Sequence, residues 1–214
     1  REQGYLPEAF VNFLALLGWS PADDKEILSL QEMTQEFDLH KLHKAGARFS
    51  KEKAEWFNHQ YLQKKTDEEV LEMLMSIDQV KDSTLSKENI LKIIALMKER
   101  ATFARDIYED GKFFFQSPAS YDEKAVAKAW NKDAVENMKE FASELETTAF
   151  NREVLKQHIQ DFAQNKSLGM GKIMMPLRLA LVGELKGPDV PDIMEILGSE
   201  ETIVRIQNAI NNIQ

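Results

Sequence analysis

Residues 168–209 read LGMGKIMMPLRLALVGELKGPDVPDIMEILGSEETIVRIQNA, and this stretch decides the fold class. Gly169 and Gly171 lead into an apolar run that contains Pro176 and Arg178. Leu177, Ala180 and Leu181 share the i, i+3, i+4 spacing of one helical face. Gly183 ends the run. A Gly187-Pro188 turn and Pro191 then set up a short helix over 190–197, with Gly198 just past its end. Ser199 suits the N-cap of a last helix carrying Ile203, Ile206 and Ile210. The spacing is helical throughout, and strand-like alternation is almost absent.

The rest of the chain repeats this pattern. Residues 6–17 form an apolar helix with Pro7 at N1, Gly18 at C′ and Pro21 beyond; its wide apolar face predicts that it is mostly buried. Trp19 reads as a packing anchor. Ser29 with Glu32, and Thr66 with Glu69, are capping boxes. Ser50 caps a helix to about Gln63 with Ala54, Phe57 and Tyr61 on one face. Residues 78–84 read as a looser polar stretch. Ser86 starts the longest early helix, to about Ile107, with Ile90, Ile93, Ile94, Met97, Ala101 and Ala104 facing inward and Arg100 and Arg105 flanking. The Phe113–Phe115 run has no obvious partner strand and reads as extended or irregular packing. Asp122 and Asn131 cap two further helices, and residues 152–164 make another with Leu155, Ile159 and Phe162. The class is all-α, an elongated multi-helix bundle of small helical subdomains. Boundaries fall at 1–65, 66–122 and 123–214.

The chain has 214 residues, 43% hydrophobic and 29% charged, which suits one large domain or two to three small ones. No apolar run approaches the ~20 residues of a membrane span. The N-terminus lacks the basic and hydrophobic regions of a signal peptide, and its start without Met suggests a fragment. The absence of Cys excludes thiolate metal sites and disulfides and fits a cytoplasmic location. Net charge is −9, which argues against nucleic acid as a global sum but not for one face. Residues 38–65 are locally basic: Lys41, Lys44, Arg48, Lys51, Lys53, Lys64 and Lys65 stand against Asp38, Glu52 and Glu55.

No reaction centre is legible. The four histidines come without an oriented nucleophile, and no GxSxG elbow or phosphate-binding loop exists. Glu36, His40 and His43 would share a face on a continuous helix, but the lysines beside His40 and His43 oppose a cation, and a solvated or RNA-facing surface is the better reading. Acidic pairs such as Glu200–Glu201 are explained by the helix dipole. The expected catalytic and metal residues are therefore none. Candidate phosphate binders are Lys41, Lys44, Arg48, Lys51, Lys53, Arg178 and Lys186. Arg100 and Arg105 are candidate base readers, because a guanidinium fork pairs with base edges and stacks on unstacked bases. Arg178 lies inside an apolar helix, and pairing with another segment would make it structural.

Residues 4–21, GYLPEAFVNFLALLGWSP, resemble the segment after the lysine loop in bacterial glutamyl-tRNA synthetases, which are class I enzymes. Ala47-Arg48-Phe49 through Trp56, Asn58 and Tyr61 resemble the stem-contact region of that family. Phe113–Phe115 with Tyr121-Asp122 resemble its middle segment. Pro176-Leu177-Arg178, Gly183, Gly187-Pro188, Ile196-Leu197-Gly198 and residues 205–210 resemble its anticodon-binding bundle. Ser50 and Ala54 depart from the family pattern, which has Asp and Leu there. The resemblance implies that residues 1–65 contact the tRNA stem and that two anticodon-binding subdomains follow. It implies tRNA-Glu as partner, with tRNA-Gln also served in non-discriminating members, and a monomer without a membrane. It also implies that ATP, Mg2+ and glutamate belong to a Rossmann catalytic domain upstream, so that this piece needs no cofactor and is inactive alone. The alternative reading is a helical protein-interaction module without RNA binding.

Overall fold

The computed structural model describes residues 2–21, 23, 25–43 and 48–213. These residues form α-helices and short 3-10 turns; the one β-type contact among them is an isolated bridge between Trp19 and Leu42. The all-α expectation holds. The chain divides into two compact units, Arg1–Glu109 and Asp110–Gln214.

Unit 1 contains α1 (Pro7–Gly18), α2 (Leu30–Glu36), a 3-10 turn at Leu39–Lys41, α3 (Lys51–Lys64), α4 (Asp67–Leu74), α5 (Asp78–Lys81), α6 (Lys87–Met97), a second 3-10 turn at Lys98–Arg100, and α7 (Ala104–Asp110). Its starts are written locally. Ser29, Ser50, Thr66 and Ser86 each accept a backbone N–H three residues on, and Ser29 and Thr66 complete capping boxes with Glu32 and Glu69. α1 and α3 pack through Ala9, Phe13, Ala54 and Phe57. Two buried asparagines fasten the unit. Asn12 Oδ1 accepts from Leu28 N at 2.9 Å and lies 2.8 Å from the Tyr61 hydroxyl, which also reaches the Leu28 carbonyl. Burial pushes the Tyr61 hydroxyl up to about 12. Asn58 accepts from Leu6 N at 2.7 Å and donates to Thr102 O at 2.6 Å.

The same contacts correct the expected helix over 86–107. It breaks after Met97 because α3 takes its carbonyls: Gln63 Nε2 donates to Lys98 O at 2.7 Å, His59 Nδ1 lies 2.8 Å from Ala101 O, and Asn58 holds Thr102 O. Asp106 then accepts from the Thr102 and Phe103 N–H groups at 2.9 and 2.8 Å and starts α7. Three smaller expectations also change. Gly18 is the last residue of α1, not a left-handed C′ residue. α1 buries a narrow stripe and leaves Leu14 exposed. The stretch expected to be loose holds the helical turn α5.

Unit 2 contains α8 (Lys112–Phe115), α9 (Glu123–Ala129), α10 (Lys132–Leu145), α11 (Arg152–Asn165), α12 (Gly171–Val182) and α13 (Val190–Asn212), which kinks at Gly198 with φ 79°. α13 packs on α10, α11 and α12, and Met138, Phe141, Leu155, Leu177, Ile193 and Ile206 fill the space between them. Asp122 and Asn131 cap α9 and α10 as expected. The Phe113–Phe115 run is not extended: it is the single helical turn α8, with Phe113 and Phe114 buried. Arg205 is 2% exposed. Its Nε donates to Glu201 at 2.7 Å and its Nη1 to the carbonyls of Phe113 and Leu181 at 2.6 and 2.8 Å. It therefore satisfies acceptors left over by α8 and by the last turn of α12.

Candidate nucleic-acid interface

The expected binding residues fall in both units. In unit 1, Lys41 ends the first 3-10 turn and is exposed. Lys44 lies outside the described residues. Arg48 is exposed ahead of α3, and Lys51 opens that helix 3.4 Å from Glu55. Lys53 is drawn inward: it pairs with Glu26 and sits 4.6 Å above the Trp56 ring, so its charge is shared with a carboxylate and an aromatic face. Among the candidates on the first turns of α3, Arg48 and Lys51 are the more available to a phosphate.

Arg100 ends the second 3-10 turn, exposed and without a partner among the described residues. Arg105 is exposed on α7 with a loose contact to Glu109 at 3.7 Å, a geometry that solvent screens. The proposed grouping of Glu36, His40 and His43 on one helix does not form, because α2 ends at Glu36 and Asp38 opens a separate turn. His43 Nε2 is 2.8 Å from Ser20 Oγ. Among the described residues no cluster of three or more His, Asp or Glu could hold a metal.

In unit 2, Arg178 leaves the apolar face of α12 and donates from Nη1 to the Pro188 carbonyl. A Cβ on Gly187, whose φ is 129°, would come within 3.3 Å of that nitrogen. The guanidinium thus packs against the Gly187-Pro188 turn, and a glycine is needed there for both conformation and space. Lys186, just before the turn, is exposed. Beyond the turn, Arg152 pairs with Asp192 and lies 3.8 Å from Asp189, while its backbone N–H donates to Glu195 at 2.9 Å. Arg178 therefore fixes the turn and Arg152 the start of the helix after it, and Lys186 stands exposed just before the turn.

Three features escaped sequence reasoning. Arg152 was not singled out, because its partners lie some forty residues away. The role of Arg205 was hidden because charge alone does not reveal that a guanidinium is buried. Glu201 was assigned to the helix dipole, yet it also accepts from Ser117 Oγ at 2.7 Å and joins α13 to the strap between α8 and α9. Burial pushes the Glu201 carboxyl up, but the Arg205 and Ser117 hydrogen bonds hold it below the ordinary value.

Residues 60–210 match the family model described as an anticodon binding domain, and residues 1–56 match that of the class I (E and Q) tRNA synthetase catalytic domain. The chain belongs to the anticodon binding domain family. It is 47% identical over 212 residues to the glutamate–tRNA ligase of Flavobacterium johnsoniae, covering 99% of this chain and 42% of that protein. It is 45% identical over 211 residues to that of Phocaeicola vulgatus, covering 98% of this chain and 42% of that one. The crystal structure of a glutamate tRNA ligase from Elizabethkingia meningosepticum in complex with its amino acid superposes with a TM-score of 0.96 at 57% identity, over 100% of this chain and 43% of that one. The glutamate-tRNA synthetase of Elizabethkingia anophelis gives 0.91 at 58% identity over 99% and 42%. The chain thus spans about 42% of the length of the curated relatives it matches. No helix of the described residues is long and apolar enough to cross a membrane. The expected family membership and helical anticodon-binding architecture are both met.

Proposed function

We propose that this chain holds tRNA-Glu for a glutamate–tRNA ligase, engaging the inner body of the tRNA through residues 1–65 and its anticodon arm through residues 66–214. The carrying observation is the anticodon-binding match over residues 60–210, which contain the exposed Lys186 and the Arg178-braced turn of unit 2. Its contribution is positional: binding energy spent on the tRNA body orients the acceptor end toward a reaction performed elsewhere. In this reading ATP, glutamate and Mg2+ belong to that reaction and are not needed for holding the tRNA. Arg48 and Lys51 suit phosphates of the tRNA body. Arg100 and Arg105 suit unstacked bases. Arg178 and Lys186 suit the anticodon arm. Boundaries at 65/66 and 122/123, a monomeric state and a cytoplasmic setting are part of the same reading, and tRNA-Gln is a second substrate if the enzyme is of the non-discriminating type.

One observation favours a second reading. Phe37, Leu39, Leu42 and Phe49 are exposed apolar side chains between 45% and 70% accessible, which suits cover by protein. Binding to tRNA-Glu at two salt concentrations, with a non-cognate tRNA as control, separates the two. The expected result is cognate-preferring binding that weakens steeply with salt, and Lys51→Ala and Lys186→Ala each lowering the salt slope by about 1. Salt-independent binding, or none, favours the protein-interaction reading.

A further inference from the structure

Arg152 is the first residue of α11, and its side chain meets the start of α13. Each of its three guanidinium nitrogens faces a different carboxylate. Nε donates to Asp192 Oδ1 at 2.5 Å, Nη2 lies 3.8 Å from Asp189, and Nη1 lies 3.8 Å from Glu153. Its backbone N–H, one of the donors that a helix start leaves over, goes to Glu195 at 2.9 Å. Asp189, Asp192 and Glu195 recur every three residues along α13, so that helix brings the acids and α11 the cation.

Helix electrostatics do not explain this placement. A helix N-terminus favours anions, and Arg152 puts a cation at the start of α11 and beside the first turn of α13. Nor is Arg152 free for a phosphate, because acids already occupy its nitrogens. What the arrangement does is tie two helix starts together. α13 has use for such a tie: Asp189 stands at its N-cap, yet that side chain caps no N–H. Val190 and Pro191 are buried and set how deep the helix sits. Apolar packing has no direction, whereas a hydrogen-bonded ion pair does. The residue before Asp189 is Pro188, whose carbonyl Arg178 holds from α12. The Gly187-Pro188 turn is thus held from α12, and the helix it runs into is held from α11.

We propose that Arg152 is a positioning residue for anticodon recognition. It touches no RNA and acts through Asp192, holding the start of α13 so that the turn after Lys186 keeps one orientation toward the anticodon. The proposal rests on the tRNA-binding reading and adds to it a residue without an RNA contact of its own.

The test measures binding of the chain to tRNA-Glu, and to the same tRNA with a substituted anticodon, over a series of salt concentrations. The ratio of the two affinities reads recognition, because both RNAs carry the same phosphates, and the salt slope counts phosphate contacts. Arg152→Ala lowers the ratio by about tenfold and leaves the slope unchanged. Asp192→Asn, which keeps the shape, lowers the ratio by less, since its amide oxygen still accepts but carries no charge. Arg152→Lys restores most of the ratio, because Asp192 is reached through one nitrogen that an ammonium can replace. A slope lowered by about 1 in Arg152→Ala means a direct phosphate contact and overturns the proposal. An equal loss on both RNAs, as a merely structural role gives, overturns it too. So does an unchanged ratio in Arg152→Ala and Asp192→Asn while Lys186→Ala weakens binding. In these three cases the tRNA reading stands. If the unaltered chain binds neither RNA at low salt, or binds both alike, the tRNA reading falls and the role of Arg152 with it.

Discussion

Units 1 and 2 both bury polar groups among their helices, but unit 1 buries neutral amides where unit 2 buries a guanidinium. Asn12 and Asn58 are 0% exposed and join α1, α3 and the break after α6 by hydrogen bonds that carry no charge. Arg205, 2% exposed, joins α8, α12 and α13 and brings one carboxylate with it. A neutral amide costs little more than its hydrogen bonds to bury, whereas a buried charge needs every donor matched. The anticodon-binding match, residues 60–210, includes Tyr61 and Arg205 but neither Asn12 nor Asn58.

The sharpest break of the comparison is Arg205→Met. It strands the Phe113 and Leu181 carbonyls and leaves Glu201 without its cation. The expected cost is about 3–5 kcal/mol, the range for removing one partner of a buried pair. Residue-resolved hydrogen exchange should show lost protection in α8, α12 and α13 with α1 and α3 unchanged. A loss below about 1 kcal/mol would mean that water replaces the guanidinium and that the charged join is not a keystone.

The matching change in unit 1 is smaller. Asn58→Ala frees Leu6 N–H and the Thr102 carbonyl, two backbone groups at a buried junction, and should cost about 2 kcal/mol. Tyr61→Phe should cost about 1 kcal/mol, because Asn12 Oδ1 keeps its bond from Leu28 N. Denaturant unfolding of both variants checks the order. If Tyr61→Phe costs more than Asn58→Ala, the Asn12–Leu28 contact depends on the hydroxyl, and the two asparagines are not independent joins.

What was legible in the chain follows the range of each interaction. Ser29, Ser50, Thr66, Ser86, Asp122 and Asn131 were readable as caps because a cap involves residues two to three apart. The break after Met97 was not, because the side chains that cause it come from α3, 35 to 44 positions earlier. The Phe113–Phe115 turn was missed for the same reason: its helical form is held by Arg205, 92 positions away. Site residues divide likewise. Lysines and arginines declare their charge, but only the fold shows that Lys53 is shared with Glu26 and Trp56 while Lys186 is exposed.

Acid should separate the units last and least. Glu201 sits below the ordinary carboxylate value of 4.5, burial opposing and the Arg205 and Ser117 bonds prevailing. Its folded value is lower than its unfolded one, so its stabilisation is fully present above about 4.5 and is lost as pH falls through the folded value. Unit 1 carries the same sign on several groups. Glu32, hydrogen-bonded by Lys25 and then by Ser29, is lowered to about 2, and Glu69 is lowered first by the Thr66 backbone N–H. Glu8 is also lowered, where burial opposes and the Lys65 bond prevails. These groups are largely exposed, solvent screens them, and no one of them holds a buried partner. Both units should therefore weaken on acidification, but for different reasons. Glu201→Gln should flatten the acid dependence of unit 2 measured between about pH 6 and about pH 3, since the amide keeps an acceptor and cannot titrate. Glu32→Gln should leave the slope of unit 1 almost unchanged, because the remaining carboxylates still titrate. Hydrogen-exchange protection in α13 and α3 reads the two slopes separately. An unchanged α13 slope in Glu201→Gln would mean that the carboxylate is replaceable by solvent, and that Arg205 is held by its two carbonyls alone.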